Sequence, residues 1–600
     1  MPMERNSLQQ IDICLCEPFI LPGILPTLGT ATLSSAVQLE NASTRIFYPS
    51  LTFFVQNCIA DHPVLLRAIA DIPLQVCEFL FGDGTEETFR FVFERLHLQG
   101  DADGQRCIRK FYKQAQTIVD QLSQNIAACQ PKIFLYSLTF GDYNFAFSLI
   151  RALRRRMPNL KIVVGASSCT PQTAPLYFRL APQIDYLICD EGVDTTRRIV
   201  RHLLYGADSL DGCAFFATKK KPATATRHLQ DLNEIPCPDY TDFMRVVTKL
   251  GMDPALVMVP YEMSRGCWWG AKKSCAMCGY FGNQKSYILK DPQRVVADIA
   301  YLKQKYAIQR IRFTDLVAPL RSYAEKLLPL EHSGVDFYLE FRPNMREEDV
   351  ALWRRIGVCF SQIGIESLST GELAAIHKGT TAINNIYVLK LLFTYKIQTD
   401  WNYLYGFPFD RQEWYMEGIS RMSWLHHLAP PSARQVWLNR NSRLFESVDQ
   451  DALVPICPAS HGQNDFLPLE TFYLSSGVDW LEPTYQELQH EIARWQVAFR
   501  QGSALVLDSA TPGQITLRRT QAGHTEYIHL QKLQAQLYLF LFEPRKRQKI
   551  LEAFSDQKPE TIDDALDCMC RQKITICADE TWLALAVKKT DYRWKILKLF

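Results

Sequence analysis

Three cysteines stand close together in the middle of the chain, at Cys267, Cys275 and Cys278. No fourth cysteine or histidine lies beside them, so a metal centre built on them keeps one ligand position open. Closed four-ligand sites are usually structural, whereas an open position is where a metal centre binds its substrate. The three thiols therefore indicate a 4Fe–4S cluster with chemistry at the fourth iron. Two further interpretations stay open: a zinc site completed by a distant cysteine such as Cys237 or Cys359, and cysteines buried as small apolar side chains.

The composition bounds the kind of protein that positions these cysteines. With 600 residues, 47% of them hydrophobic and 12% aromatic, the chain is long enough for several domains with sizeable cores. The formal net charge of +2 argues against a broad nucleic-acid-binding surface. Because we find no signal peptide and no apolar run of membrane length, we expect a cytoplasmic protein that binds neither nucleic acid nor a membrane.

Residues 1–230 are predicted to form an α/β domain with a doubly wound parallel sheet. Short apolar runs suit strands that are buried on both faces. The runs are Ile11–Cys16, Thr44–Pro49, Lys132–Ser137, Leu160–Gly165 and Ile184–Cys189. Helical patterns separate them, most clearly Tyr143–Met157 and Val193–Leu204, and a helical segment lies between Thr52 and Ile126. In this class of fold the loops at the carboxyl ends of the strands carry the ligand.

A proline-containing linker, residues 231–256, leads into a second run of alternating strands and helices at 257–480. The first strand ends near Glu262 and is followed by the cysteine loop and by helix Pro292–Lys305. Further strands are predicted at Arg310–Thr314, Phe337–Phe341, Cys359–Ile365, Thr399–Tyr405 and Gln435–Asn439. Six strands at this spacing indicate either a partial (β/α)6 barrel or a second doubly wound sheet.

Residues 481–600 have a different texture. Helical segments are predicted around Gln531–Phe542, Arg547–Phe554 and Ile562–Met569, and strands at Ile574–Ala578 and Trp582–Val587. Helices followed by a hairpin are typical of a small winged-helix-like α+β module. Two roles stay open for it: recognition of a leader peptide by strand addition, or a lid over the barrel.

With these motifs placed, the sequence resembles the cobalamin-dependent radical SAM enzymes, specifically the RiPP maturation radical SAM C-methyltransferases. The segment at 264–279, SRGCWWG followed by SCAMCG, carries most of the resemblance. Its first cysteine gap has seven residues where most radical SAM proteins have three, which is similar to the peptide-maturation branch. Further pieces follow in order at strand ends: Arg312–Asp315, Glu340–Asn344, Gly364–Ser369, Lys378–Thr381 and Trp401–Pro408.

The resemblance implies that Cys267, Cys275 and Cys278 are catalytic and bind a 4Fe–4S cluster, with SAM at the open iron. It also implies SAM-binding roles for four residues: Met277, Asp315, Glu340 and Glu366. Its place at the catalytic end of a barrel strand favours the SAM role for Glu366 over the alternative, a carboxylate that caps the next helix. Three residues of the fifth strand end are either substrate-lining or core: Trp401, Asn402 and Tyr405. Two arginines after the sixth strand, Arg440 and Arg443, are candidates to hold the SAM carboxylate or the substrate peptide, with a solvated loop as the default interpretation.

The amino-terminal sheet resembles a cobalamin-binding domain. The implied cobalamin-binding residues follow its strands: Ser137, Thr139, Gly165, Ser167, Glu191 and Gly192. Many cobalamin proteins supply a cobalt ligand from an Asp-x-His-x-x-Gly loop, but no histidine of this chain has an aspartate two residues before it. We therefore expect cobalamin to bind without that axial histidine.

The resemblance therefore implies C-methylation of an unactivated carbon in a ribosomally synthesised precursor peptide, with electrons from a donor such as flavodoxin or ferredoxin. A rival hypothesis is cobalamin-free radical SAM modification of a peptide: epimerisation, cyclisation or thioether formation. Epimerisation needs a hydrogen donor, for which Cys359 and Cys457 are candidates. A third hypothesis is a metal-bound scaffold without enzymatic activity.

Overall fold

The fold is described from a computed structural model. It covers residues 10–57, 59, 62–71, 73–139, 142–166, 169, 174–189, 192–207, 209–210, 213, 215–217, 231–279, 287–439, 442–449, 453–455, 472–474, 481–511 and 513–595. Of the predicted functional residues, Ser167, Glu191, Arg440 and Cys457 lie outside these ranges. None of the helices in the described part of the chain is long and apolar enough to span a membrane.

The first sheet has six strands. They are β1 (Ile13–Cys16), β2 (Thr44–Phe47), β3 (Ile133–Leu138), β4 (Lys161–Ala166), β5 (Tyr186–Ile188) and β6 (Phe215–Ala217). Their order across the sheet is β2-β1-β3-β4-β5-β6, with β1 to β5 parallel and β6 antiparallel to β5. The order reverses at β1, since β2 lies on one side of it and β3 on the other. This is the predicted doubly wound arrangement.

Helices separate these strands, and several of them form the predicted helical segment between Thr52 and Ile126. They are α1 (Leu28–Gln38), α2 (Pro49–Gln56), α3 (Pro63–Asp71), α4 (Pro73–Leu80), α5 (Glu86–Arg95), α6 (Ala102–Ala128), α7 (Tyr143–Arg156), α8 (Ala174–Leu180) and α9 (Val193–Tyr205). The long helix α6 packs against α7 and closes one face of the sheet with an aromatic core.

The predicted linker is more ordered than its composition indicates. Helix α10 (Thr241–Lys249) occupies its centre, and 3₁₀ turns form at Leu232–Glu234 and Pro254–Leu256. Pro236 and Pro238 precede α10 and Pro254 follows it, so no proline interrupts the helix. Phe243 and Val247 of α10 are buried in the main core. The prediction of a linker throughout 231–256 is therefore wrong for its second half.

The second sheet follows the cysteine loop. Its strands and the short strands near it are β7 (Val259–Tyr261), β8 (Ser264–Arg265), β9 (Ile288–Leu289), β10 (Arg310–Phe313), β11 (Asp336–Phe341), β12 (Val358–Ile363), β13 (Gln398–Asp400), β14 (Asn402–Tyr405), β15 (Ser432–Gln435), β16 (Leu453–Pro455) and β17 (Phe472–Leu474). The helices are α11 (Pro292–Tyr306), α12 (Arg321–Ala324), α13 (Glu347–Ile356), α14 (Thr370–Ala375), α15 (Ala382–Thr394), α16 (Gln412–Met422) and α17 (Arg443–Glu446).

Five strands of this sheet are parallel and lie in the order β13-β12-β11-β10-β7, and β14 continues beside β15. A doubly wound sheet reverses its strand order, whereas here each strand lies beside the one before it. The order excludes a second doubly wound sheet among the described residues and is the order expected of a partial barrel. A bridge between Glu366 and Tyr403 carries the pairing across to β14.

Two predicted strands of this region need correction. The strand predicted at Thr399–Tyr405 is interrupted at Trp401, whose buried indole donates to the carbonyl of Ala429 at 2.8 Å. The strand predicted at Gln435–Asn439 ends at Gln435. Val436 and Leu438 owe their strand-like alternation to burial in a local apolar cluster.

The carboxyl-terminal region contains a β-meander that the sequence analysis missed. Its elements are α18 (Glu482–Arg500), β18 (Ala504–Thr511), β19 (Gln514–Gln521), β20 (His524–Gln531), α19 (Lys532–Phe540), β21 (Arg545–Lys546), α20 (Arg547–Ala553), α21 (Pro559–Arg571), β22 (Thr575–Ala578) and β23 (Thr581–Ala584). Strands β18 to β20 form one antiparallel sheet and β21 to β23 another. The predicted helices and hairpin are present, but the meander precedes them.

Candidate active site

The cysteine loop begins directly after β8. Cys267 and Cys275 are buried and Cys278 is half-buried. Among the described residues no three metal-ligating side chains converge on a single-ion site. In a 4Fe–4S cluster each cysteine binds a different iron, so the thiols need not converge on one point. Three thiols on one loop fit the donor chemistry of a cluster better than that of a lone zinc ion.

Two tryptophans brace this loop against neighbouring loops. The Trp268 indole donates to the carbonyl of Ala318 at 3.3 Å, and the Trp269 indole donates to the carbonyl of His377 at 3.2 Å. Gly379 makes room for Trp269, because a Cβ at Gly379 would lie 2.2 Å from its ring. The long first gap between the cysteines therefore carries the side chains that fix the loop.

The second half of the loop is anchored through its backbone. The N–H of Ala276 donates to Ile376 at 3.0 Å, and its carbonyl accepts from Leu444 at the same distance. The Met277 side chain packs in an apolar cluster around Phe407 and so anchors this part of the cysteine loop. Arg443, at the start of α17, is exposed.

Asp315 holds the strand that leads into the cysteine loop. Its carboxylate accepts from the N–H of Met263 at 3.1 Å and from the hydroxyl of Ser264 at 2.5 Å. Burial raises the pKa of Asp315 to about 7. Both carboxylate oxygens are thus used within the protein, and the structure places Asp315 as a brace of the loop. Its predicted contact with SAM stays a prediction.

Glu366 follows β12 and is paired with Lys378, whose Nζ donates to Glu366 Oε1 at 2.7 Å. Its backbone has a φ of 64°, in the left-handed region that non-glycine residues seldom adopt. Asn385 supports this conformation by donating to the carbonyls of Ile365 and Ser367 at 3.0 Å and 2.9 Å. Such strained residues cluster at functional sites, which favours a ligand-binding role over helix capping.

Glu340 lies on the inner face of the second sheet, opposite the helices. The alternate residues Phe337 and Leu339 belong to the apolar core, so the intervening side chains point to the other face. The guanidinium of Arg312 lies 3.7 Å from Glu340 Oε1. Burial raises the pKa of Glu340, and the charge of Arg312 opposes that rise. The inner face therefore offers charged groups near the carboxyl ends of the strands.

The aromatic strand end at 401–405 divides between core and site. Trp401 is fully buried and belongs to the core, which favours a structural role for this residue over a substrate-lining one. Asn402 and Tyr405 are half-buried, and the hydroxyl of Tyr405 accepts from Gln489 at 3.0 Å. These two remain candidates for a substrate-facing role.

The carboxyl end of the first sheet carries the described residues of the predicted cobalamin set. Ser137 of β3 lies opposite Gly165 of β4, and Thr139 follows β3 directly. A Cβ added at Gly165 or at Gly192 would meet none of the described residues within 4 Å, so both glycines border space that the described part of the chain leaves open. A strand edge with a hydroxyl and two glycines fits the close approach of a bulky cofactor.

A crevice between β1 and β3 holds buried acids that the sequence analysis missed. Asp142 accepts from the N–H of Phe19 at 2.9 Å, and Glu78 accepts from the N–H groups of Tyr143 and Asn144 at 2.7 Å and 3.0 Å. Burial raises the pKa of Glu78 to about 7 and that of Glu17 to about 8. These acids accept hydrogen bonds from the backbone N–H groups of neighbouring loops and helices, so the protein itself occupies the crevice.

Two cationic groups near the cysteine loop also escaped sequence reasoning. Arg342 contacts Cys275 and the paired tryptophans, and Lys378 pairs with Glu366. Both residues lie in segments that carry the family resemblance, so a charged residue at a strand or helix end was the signal that could have identified them. The sequence does not say which distant loop each of them contacts.

No protein-family model matches the chain. Two curated relatives are an uncharacterized methyltransferase of Pyrococcus horikoshii, 26% identical over 303 residues, and an anaerobic magnesium-protoporphyrin IX monomethyl ester cyclase of Synechocystis, 23% identical over 300 residues. The first match covers 49% of this chain and 64% of the relative, and the second covers 46% and 56%. The chain thus spans less than two thirds of either relative.

A solved structure agrees over a larger part of the chain. It is the radical SAM methyltransferase TsrM from Kitasatospora setae, solved with tryptophan substrate and a SAM analogue. The TM-score is 0.53 at 12% identity, with 80% of this chain and 89% of that chain covered. At this identity the match shows a shared α/β fold.

Proposed function

We propose that this protein is a radical SAM enzyme that uses a 4Fe–4S cluster, SAM and cobalamin to methylate an unactivated carbon of a ribosomally synthesised precursor peptide. The observation that carries the proposal is the cysteine loop, which is braced by two tryptophans at the carboxyl end of a parallel sheet. Active sites of barrels of parallel strands lie at that end. The relatives named as a methyltransferase and a cyclase, and the fold shared with TsrM, support the same kind of chemistry.

Cys267, Cys275 and Cys278 are the residues that would hold the cluster, and Glu366 with Lys378 would face SAM beside it. When bound, the cofactors supply reductive cleavage of SAM and transfer of a methyl group. The protein supplies rigid placement, since both indoles and Asp315 fix the loop. It also supplies a charged but largely buried surround, in which electrostatic interactions are stronger than in water.

Cobalamin is assigned to the carboxyl end of the first sheet. Ser137, Thr139, Gly165 and Gly192 would line it, and Ser167 and Glu191 complete the proposed set. The open space at the two glycines supports this assignment. No histidine of an Asp-x-His-x-x-Gly loop is available to the cobalt, so we propose binding without that ligand.

A peptide substrate is supported by the family resemblance and by the carboxyl-terminal meander. Strand β20 is the outer strand of that sheet, and an outer strand can receive an extended peptide through backbone hydrogen bonds. The module is tied to α15 by the buried Lys390, whose Nζ donates to the carbonyls of Phe542 and Ala584, each at 2.7 Å. We propose that the leader of the precursor peptide binds along β20. We also propose that the protein works in the cytoplasm, where flavodoxin or ferredoxin supplies the electrons.

The rival reaction, epimerisation, gains no support from Cys359. This thiol is buried at the start of β12, at the amino end of the strand and away from the cysteine loop. It donates to a carboxylate oxygen of Asp336 at 3.4 Å, and burial raises its pKa to about 12. A hydrogen donor for a substrate radical needs access to the carboxyl end of the barrel.

The test compares the wild-type protein with Cys267→Ala and with the matched control Cys359→Ala. Each is reconstituted anaerobically with iron, sulfide and hydroxocobalamin and then assayed for bound cobalamin, 5′-deoxyadenosine formation and a one-methyl mass gain in a precursor peptide encoded beside its gene. Wild type and Cys359→Ala are expected to perform all three. We expect Cys267→Ala to lose more than a hundredfold of deoxyadenosine formation while keeping cobalamin.

Absence of bound cobalamin in the wild type, with deoxyadenosine still formed, would refute the methyl-transfer proposal. Absence of deoxyadenosine formation in the reconstituted wild type would refute radical SAM chemistry altogether.

A further inference from the structure

Arg342 is a buried guanidinium in contact with one cysteine of the loop. It follows the last residue of β11 and is 7% exposed. Its Nη1 donates to Cys275 Sγ at 3.5 Å, and its Nη2 donates to the carbonyl of Lys378. The guanidinium carbon lies 4.7 Å from the centre of a Trp269 ring and 5.7 Å from that of Trp268. One side chain therefore connects the thiol, both bracing indoles and the Lys378 backbone.

Burying a cation without a negative partner is costly, so the partners of Arg342 are informative. A carbonyl and two indole faces are neutral. The thiol of Cys275 is the member of this set that can carry a formal negative charge. In addition, the buried Nε–H of Arg342 has no hydrogen-bond partner among the residues that the structure describes. The guanidinium is thus prepared for negative charge that arrives with a bound group.

We propose that Arg342 is a positioning residue that raises the reduction potential of the cluster held by the three cysteines, an inference that rests on the proposed function. Reduction adds one electron from an external donor and hence one negative charge to the cluster. A fixed cation beside the Cys275 ligand stabilises the reduced form more than the oxidised one. The indoles and the Lys378 carbonyl hold this charge in place.

The chain contains a matched contact elsewhere. Arg354 of α13 donates from Nη1 to Cys359 Sγ at 3.4 Å and also lies over an aromatic ring, with its Cζ 4.8 Å from the centre of Tyr592. Its thiol partner lies outside the cysteine loop. Loss of Arg354 therefore removes the same kind of interaction without removing charge beside the proposed cluster.

The experiment uses the full chain with a reconstituted cluster in the absence of SAM. Iron and sulfide content are measured first, and the reduction potential is then determined by EPR-monitored titration with dithionite for the wild type, Arg342→Gln, Arg342→Lys and Arg354→Gln. We expect Arg342→Gln to lower the reduction equilibrium constant at least tenfold, a shift of about 59 mV for one electron. Arg342→Lys should recover at least half of that shift, and Arg354→Gln should match the wild type.

A wild-type potential in cluster-containing Arg342→Gln overturns the proposal. If Arg342→Gln assembles no cluster, Arg342→Lys decides. A cluster near the wild-type potential supports the requirement for charge, whereas no cluster, or no recovery of potential, overturns it. Failure of the wild type to assemble a cluster overturns the proposed function as well, and iron analysis separates that result from an effect of Arg342.

Discussion

The carboxyl ends of the two sheets differ in how tightly they are packed. At the second sheet the cysteine loop is braced by indoles, backbone hydrogen bonds and the buried carboxylate of Asp315. At the first sheet a Cβ at Gly165 or Gly192 would meet no described residue within 4 Å, so this edge is left open by the described part of the chain. A small inorganic cluster needs ligands that are fixed before it binds, whereas a large organic cofactor needs a surface that is left free. Each end is therefore suited to a group of a different size.

The first sheet also shows the contrast within itself. Its crevice between β1 and β3, where doubly wound folds commonly bind ligands, contains Glu17, Glu78 and Asp142, all buried. The open edge is displaced toward β4 and the loop before α9. A cofactor at this sheet is therefore expected over β3 to β5, with the reversal point of the sheet serving as internal support.

The largest expected effect comes from breaking the brace of the cysteine loop. Gly379→Ala places a Cβ 2.2 Å from ring carbons of Trp269, at a φ of +71°. Overpacking and the left-handed backbone together should cost about 2–4 kcal/mol. We expect Trp269 to leave its position and iron retention after reconstitution to fall at least tenfold.

The matched control is Gly502→Ala in the carboxyl-terminal module. Gly502 has a φ of +82°, but a Cβ there would meet no neighbour within 4 Å in the described part of the chain. It should cost only about 1 kcal/mol and leave iron content unchanged. Equal iron content in the two variants would show that Trp269 does not brace the loop.

A smaller and more selective effect is expected from filling the open edge of the first sheet. Gly165→Val adds a β-branched side chain to strand β4, at a position where no described residue lies within 4 Å of a Cβ. Thermal stability should stay the same or rise slightly, because valine suits a strand better than glycine. Bound cobalamin should fall at least tenfold, about 1.4 kcal/mol, as measured by absorbance after gel filtration.

The Gly165→Val variant should retain the cluster and form 5′-deoxyadenosine, because the cysteine loop lies at the second sheet and Gly165 lies on the first. Unchanged cobalamin content in a stable Gly165→Val protein would remove the cofactor from this edge of the sheet.

The sequence predicted strands β1 to β5, β7 and β10 to β13, because strands buried on both faces appear as continuous apolar runs. It did not predict the antiparallel strand β6. It also predicted the cysteine loop, since the three cysteines are close in sequence. It did not predict that Asp315 faces Met263 and Ser264, nor that Arg342 faces Cys275. These pairs are separated by about fifty residues or more, and only the packing of parallel strands brings them together.

The meander β18–β20 was missed for a different reason. Its outward faces are polar and exposed, so its strands lack the apolar runs that identified the two parallel sheets. The available signal was the pair Gly513 and Gly523, both with positive φ, which separate three eight-residue strands. Turn glycines at that spacing indicate hairpins even where the strands are not apolar.

The smallest effect on the two cofactor sites is expected in the crevice between β1 and β3. Here the pH dependence of stability tests whether the buried acids serve only to support the fold. Glu17 is buried, and its pKa of about 8 lies well above the value near 4.3 of an unfolded chain. The folded protein therefore keeps a proton between these pH values that the unfolded chain releases. Its free energy of unfolding should fall as pH rises through this window, by about 1 kcal/mol per pH unit or less.

Glu17→Gln mimics the protonated side chain and should abolish this contribution. We expect its melting temperature to match the wild type near pH 5 and to exceed it increasingly toward pH 8, as measured by calorimetry. Glu94→Gln, on the exposed side of α5, is the control and should run parallel to the wild type at every pH. Because the remaining titrating groups act alike in all three proteins, the difference isolates Glu17. A constant difference between Glu17→Gln and wild type across this range would mean that Glu17 is charged in the folded protein. In that case the crevice, like the open edge, would be suited to an incoming ligand.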